Sequence, residues 1–131
     1  MTLTEIEYNE LSSEIIGAAI EVHKTLGPGL LESVYQHCLM DELKRRGISF
    51  KTQVKLPLHY KGNNLNKDFI VDLLVEDINI LELKAVEVIL PVHEMQLVTY
   101  LKLANIKLGL LINFNVPVLH TGIRRKINGS L

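Results

Sequence analysis

Three charged residues stand where buried strands would ordinarily carry only apolar ones. In Ile80-Leu81-Glu82-Leu83-Lys84 the two-residue period of a strand sets Glu82 and Lys84 on one face and Leu81, Leu83 and Ala85 on the other. Asp72 interrupts Phe69-Ile70-Val71-Asp72-Leu73-Leu74-Val75 in the same way. Charges in apolar strands carry a desolvation cost and need partners. If the two segments pair as a hairpin about Glu76-Asp77, Asp72 lies near Glu82 on the shared face. Two carboxylates beside an ammonium suit a hard divalent cation such as Mg²⁺, which takes one or two carboxylates together with water and phosphate oxygens. The lysine can orient or deprotonate an attacking water, or stabilise charge growing on a phosphate. The chain holds a second acid-x-Lys triplet, Glu42-Leu43-Lys44, and about one is expected by chance in a chain of this composition. That triplet falls in a helical segment, where residues two apart do not share a face. An ion pair internal to a sheet is the competing reading of Asp72, Glu82 and Lys84.

Two helices carry further candidates. His93, Gln96 and Tyr100 fall at i, i+3 and i+7 downstream of the Glu82 strand and line one side of a helix, with Met95, Val98, Leu101 and Leu103 left for the core. Their alternative is a plain exposed polar face. Glu32 and Tyr35 share a face at i, i+3 near the start of another helix, where an acid also complements the helix dipole. His23, on the apolar side of the first helix, reads as a hydrogen-bonded core residue, and Cys38 as a small buried hydrophobe.

The elements that must position these groups follow from periodicity. Ile15, Ala19, Val22 and Leu26, flanked by Ile16, Ile20 and His23, form a helical stripe that Gly27-Pro28-Gly29 ends. A second helix from about Leu31 to Arg46 stops at Gly47 and packs on the first as a hairpin. Val54, Leu56 and Leu58 alternate as a strand, Lys61-Gly62-Asn63-Asn64 is turn chemistry, and Asp68 to Val75 and Ile78 to Ala85 read as central strands. Pro91 opens a third helix to about Ala104. Lys107 to Asn113 and a short segment around Val118 complete the order ααβββαββ, an α/β sandwich.

Length and composition set the outer bounds. The 131 residues are 47% hydrophobic and 22% charged, which suits one globular domain over 1–131. A net charge of -1 excludes gripping nucleic acid by bulk charge, though not a local basic patch. One cysteine gives no internal disulfide, and the histidines never take a zinc-ligand spacing. The opening MTLTEIEYNE is acidic and polar, unlike a signal peptide, and no apolar run approaches a membrane span, so a cytoplasmic protein with no membrane partner is the expectation.

Gly29-x-x-Glu32-x-x-Tyr35 is the signature of the GxxExxY protein family, and the chain resembles that family from about Ile15 to Lys126. The likeness includes His23-Lys24-x-Leu26-Gly27-Pro28-Gly29-Leu30-Leu31-Glu32, Asp72-Leu73-Leu74-Val75, Glu82-Leu83-Lys84-Ala85-Val86, Gln96-x-x-x-Tyr100-Leu101 and Gly109-Leu110-Leu111-Ile112-Asn113-Phe114. That family looks like a compact branch of the PD-(D/E)XK superfamily, whose characterised members are mostly metal-dependent nucleases. The resemblance implies a restriction-endonuclease-like core, a mixed sheet flanked by helices, and Mg²⁺ or Mn²⁺ as cofactor. It makes Asp72 and Glu82 metal ligands, Lys84 the catalytic lysine, Glu32 the helix acid, Gln96 the residue that positions water or phosphate, and Tyr35 and Tyr100 supporting neighbours. Val71 precedes Asp72 where the superfamily often has Pro, and Ile70 stands where family members tend to carry Arg.

The function so implied is a divalent-metal-dependent phosphodiesterase acting on DNA or RNA. Basic residues for its backbone are available in Lys44-Arg45-Arg46, Lys51, Lys55 and Arg124-Arg125-Lys126. The alternative is a nucleic-acid- or protein-binding module that keeps the fold without cutting. A chain of this size has no room for a separate recognition domain, so a homodimer or a partner protein that completes the substrate channel is a third possibility.

Overall fold

The computed structural model describes residues 3–131. Helix α1 (Glu5–Leu26) begins at a reciprocal cap, with the Glu7 N–H donating to Thr4 Oγ1 and the Thr4 N–H to Glu7 Oε2, both at 3.2 Å. Gly27, at φ 74°, ends it. Helix α2 (Glu32–Arg45) returns antiparallel to α1 as the expected hairpin, and β1 (Phe50–Tyr60), β2 (Asn63–Val75) and β3 (Asn79–Lys84) follow. Helix α3 (Pro91–Ala104) carries the chain to β4 (Leu108–Asn113), and β5 (Ile123–Ile127) closes the sheet. Spatial order is β1-β2-β3-β4-β5, with β3 and β4 parallel and every other pair antiparallel. This is the mixed sheet in the order ααβββαββ.

Two apolar layers hold the sheet between helices. Ile15, Ala19 and Val22 of α1 and Tyr35, Leu39 and Leu43 of α2 pack on Leu73, Leu81, Leu83, Leu110 and Ile112. On the opposite face Leu97, Tyr100 and Leu101 of α3 pack on Leu56, Val71, Ile80 and Leu111. Gly109 lets α3 approach, since a Cβ there would lie 2.8 Å from Leu97 Cδ1. His23 is the expected hydrogen-bonded core histidine, its Nε2 lying 2.8 Å from the Val116 carbonyl oxygen. No helix among the described residues is long and apolar enough to cross a membrane.

Three expectations change. The segment around Val118 is a turn leading into a short 3-10 helix, Leu119–Gly122, and the last strand is Ile123–Ile127. Pro117 has no N–H for a ladder, and the Val118 carbonyl accepts instead from the Thr121 N–H at 3.1 Å. Arg124, Arg125 and Lys126 are therefore strand residues: Lys126 pairs with Glu94 at 2.7 Å and Arg125 donates to Asn9 Oδ1 at 2.6 Å. In α3, Met95 and Leu103 are exposed while Leu97 and Leu101 fill the core; apolar residues almost surround this helix, so its sequence does not select a face. Strand β2 begins earlier than the expected Asp68, at Asn63, and its added residues are all exposed.

Candidate functional site

The strands β2 and β3 separate where the acids stand. Their ladder runs Val75↔Asn79, Leu74↔Ile80, Leu73↔Leu81 and goes no further. Beyond it, side chains replace carbonyls: the Asp72 N–H donates to Glu82 Oε1 at 3.1 Å, and the Leu83 N–H donates to Asp72 Oδ2 at 2.8 Å. Each carboxyl thereby satisfies the backbone of the other's strand, which fixes both acids between the strands.

The cause lies in the phase of β1 and β2. Leu73 and Val75 belong to the α1/α2 core, whereas Phe69 and Val71, at the same parity, pack on the α3 side. The two-residue alternation therefore slips by one at Asp72, and such a slip moves side chains to the other face. Strand β1 slips with it: Phe50 faces the α1/α2 core, and Val54 and Leu56 the α3 core. Between them Gln53, at φ 49°, drops out of a ladder that pairs Thr52↔Leu73 and Val54↔Val71. Gln53 and Asp72 thus stand opposite each other at the irregularity.

Burial and mutual charge govern the site's electrostatics. Glu82 is 6% exposed. That burial, reinforced by the charge of Asp72, pushes its carboxyl up to about 8, while the Asp72 N–H and Lys84 pull the other way. Asp72 is raised too, by burial, against the Leu83 N–H, Lys84 and the neighbouring Glu82 carboxyl. Glu32 is raised by burial and then by the charge of Asp72, with Lys84 opposing. Tyr100 is raised by burial and by the charges of Glu82 and Asp72. Glu32, Asp72, Glu82, Lys84 and Tyr100 therefore share one field. Lys84 is half-buried and, among the described residues, makes no ion pair within 4.0 Å.

Tyr35 explains how Glu32 reaches the site. Its ring is fully buried and stacked on Phe114, with centroids 4.6 Å apart. Its hydroxyl donates to the Gly27 carbonyl at 2.6 Å and accepts from the Leu30 N–H at 3.1 Å. The tyrosine so clamps the turn that leads into Glu32, the first residue of α2. Phe114 in turn donates its N–H to the Lys84 carbonyl at 2.9 Å. One packed path thus runs from the strand bearing Lys84 to the loop presenting Glu32. Gln96 lies about one turn before Tyr100, exposed and without a hydrogen bond among the described residues.

Asn113 and Gln53 escaped the residue-by-residue reading. The Asn113 carboxamide donates to the Val86 carbonyl at 2.9 Å and accepts from the Val86 and Asn115 N–H groups at 3.0 and 3.2 Å, pinning the chain just past Lys84. Its sequence signals are an amide closing an apolar strand and a place in the Gly109–Phe114 segment of the family likeness, neither of which shows this role. Gln53 has none, since only the register sets it opposite Asp72.

Among the described residues no three of His, Cys, Asp and Glu converge into a metal cage. The Asp72/Glu82 pair nevertheless fits a hard divalent cation. Its donors are all oxygen, one oxygen of each carboxyl is committed to a backbone N–H, and a cation would take the place of the proton that burial favours on Glu82. A family model described as the PD-(D/E)XK nuclease superfamily matches residues 9–126. No curated protein and no solved structure matches the chain.

Proposed function

The chain belongs to the PD-(D/E)XK nuclease superfamily, and from that premise we propose that it is a Mg²⁺- or Mn²⁺-dependent phosphodiesterase that cuts DNA or RNA. The observation that carries the proposal is the Asp72/Glu82 carboxyl pair, Glu82 buried and Asp72 half-buried, each bonded to the backbone of the other's strand and accompanied by an ammonium with no ion pair of its own. Such a pair is costly to keep in a folded protein, and binding a cation offsets the cost. The Gly29-Glu32-Tyr35 spacing, with Tyr35 clamping the turn before Glu32, supports the GxxExxY branch within the superfamily.

In this reading Asp72 and Glu82 hold the cation, with Glu32 supporting them. When bound, the cation supplies Lewis-acid polarisation of a phosphoryl oxygen and acidifies water. Lys84 sets its ammonium beside the carboxyls, where it offsets negative charge growing on the phosphate and orients the water for in-line attack. Tyr100 and Gln96 line the α3 side, and their hydroxyl and amide orient that water or the phosphate. Tyr35 acts through Glu32.

Replacing Lys84 tests the proposal. Lys84→Met keeps the packed stem and removes only the charge. Cleavage of labelled DNA and RNA in Mg²⁺ or Mn²⁺ is expected to fall by at least about 10²-fold, the usual loss on removing one stabilising group. The circular dichroism spectrum should be retained. Undiminished cleavage by this variant refutes the mechanism.

A further inference from the structure

The β1–β2 hairpin continues well beyond the sheet. Pairing with β3 stops at Leu73, but β1 and β2 stay paired from Val54↔Val71 out to Tyr60↔Asn63. At about 3.3 Å per residue this two-stranded ribbon is roughly 20 Å long. Helix α3 covers only its base, through Tyr100 against Phe69 with ring centroids 5.8 Å apart. From Pro57 to Asp68 only Leu58 is even partly covered, and Tyr60 and Leu65 are 60% and 47% exposed. An isolated two-stranded hairpin is marginal in water, so a ribbon this long gains from something to lie against.

Charge indicates what that is. The ribbon, residues 54–71, holds three lysines and one acid, Asp68, for a net of +2; the chain as a whole is -1, so the other residues sum to -3. Lys51 pairs with Asp77 at 3.0 Å, but Lys55, Lys61 and Lys67 make no ion pair among the described residues. An acidic body thus extends a basic ribbon. The ribbon is also bent: its register shifts between Pro57 and His59, where Leu65, Asn66 and Lys67 bulge on β2 with Asn66 at φ 55°. At its base, a cleft of about 320 Å³ opens between α2 and β1, lined by Ser33, Gln36, Thr52 and Gln53 together with His37 and Met40; Ser33 follows Glu32 in the chain and Gln53 stands opposite Asp72. Its hydroxyl and amide groups suit phosphate and sugar oxygens.

We propose that the β1–β2 ribbon is an arm that enters the major groove of duplex DNA, with Lys55, Lys61 and Lys67 on the backbone, and so lays one strand along the cleft toward Asp72 and Glu82. A B-form major groove about 12 Å wide admits a two-stranded ribbon, whereas the deep, narrow major groove of A-form RNA does not. The inference rests on the phosphodiesterase reading for the class of ligand, nucleic acid; the binding itself needs no cleavage.

The test is binding of a labelled duplex of about 20 base pairs, measured by anisotropy in EDTA across a salt series. The Lys55→Gln/Lys61→Gln/Lys67→Gln variant is compared with an equal-charge control, Lys24→Gln/Lys102→Gln/Lys107→Gln. Each lost lysine–phosphate contact flattens the slope of log K against log salt by about 0.9, so the ribbon variant is expected to lose about 2 to 3 units and the control far less. Wild type should favour duplex DNA over duplex RNA and single strands of the same sequence. Equal slopes for the two variants, no duplex binding by wild type at low salt, or a preference for either other ligand each overturn the inference. Cleavage by wild type together with equal slopes sinks the arm and leaves the catalytic reading standing. Ribbon-dependent binding with no cleavage of any substrate does the reverse.

Discussion

Glu82→Gln in metal-free protein probes the carboxyl pair most directly. In the native chain the Glu82 carboxyl holds its proton up to about 8, against an ordinary value of 4.5. Between those values the native state binds more protons than the unfolded one, so stability falls as pH rises. The contribution is fully present below the unfolded value and is lost as pH rises through the native one. The slope is about 1.4 kcal/mol per pH unit for one proton, so about 3 kcal/mol is lost between pH 5 and 8. For a domain of this size each kcal/mol moves the melting temperature by about 3 °C, which gives a drop of about 10 °C. Differential scanning calorimetry in EDTA should show that fall in wild type and a much flatter profile in Glu82→Gln, which cannot ionise. Isothermal titration with Mg²⁺ or Mn²⁺ completes the experiment. Wild type should bind more tightly as pH rises and release protons near pH 7, because the ion must displace the one that Glu82 holds; the variant should lose most of that binding. A wild-type profile no steeper than the variant's over pH 5 to 8 would show that Glu82 is ionised throughout and would refute the reading of Glu82 as a buried, protonated carboxyl.

Two further substitutions test how the site is held. Tyr35→Phe keeps the stack on Phe114 but removes both hydroxyl contacts, to the Gly27 carbonyl and the Leu30 N–H. The expected cost is about 1–3 kcal/mol by denaturant titration, with faster amide exchange at Leu30; unchanged exchange there would exclude the clamp. Gly109→Ala pushes a methyl to 2.8 Å from Leu97 Cδ1 and 3.2 Å from Leu101 Cδ2, so these buried leucine side chains must repack. A loss of about 1–3 kcal/mol in urea unfolding is expected, and full stability would refute tight packing of Leu97 and Leu101 over Gly109.

Much of the fold is readable without coordinates because its punctuation is local. Gly27-Pro28-Gly29 ends α1 and Pro91 opens α3 through backbone rules that act within a few residues. The turn at Lys61-Gly62 is equally plain: both residues take positive φ, at 51° and 81°. The final strand is hidden for a non-local reason, since the charged run Arg124-Arg125-Lys126 becomes a strand only by pairing with Gly109, Leu110 and Leu111.

The candidate site residues Asp72, Glu82 and Lys84 are legible in the sequence because charges inside apolar strands mark themselves, whereas Glu32, on a helix, stands out only through the Gly29-x-x-Glu32-x-x-Tyr35 resemblance. That Asp72 and Glu82 lie near each other followed from a short hairpin. How they meet did not follow. Val71 and Leu73 are both apolar, so nothing in their order reveals that alternation slips between them and sends them to opposite cores. Only the packed sheet decides that β2 and β3 part there, that each carboxyl bonds the other strand's backbone, and that Glu82 is buried enough to keep its proton to about 8. Caps and turns act over a few residues and can be read in order along the chain. Burial, register and the field at a carboxyl are sums over neighbours distant in sequence, so they come into being only when the chain closes around them.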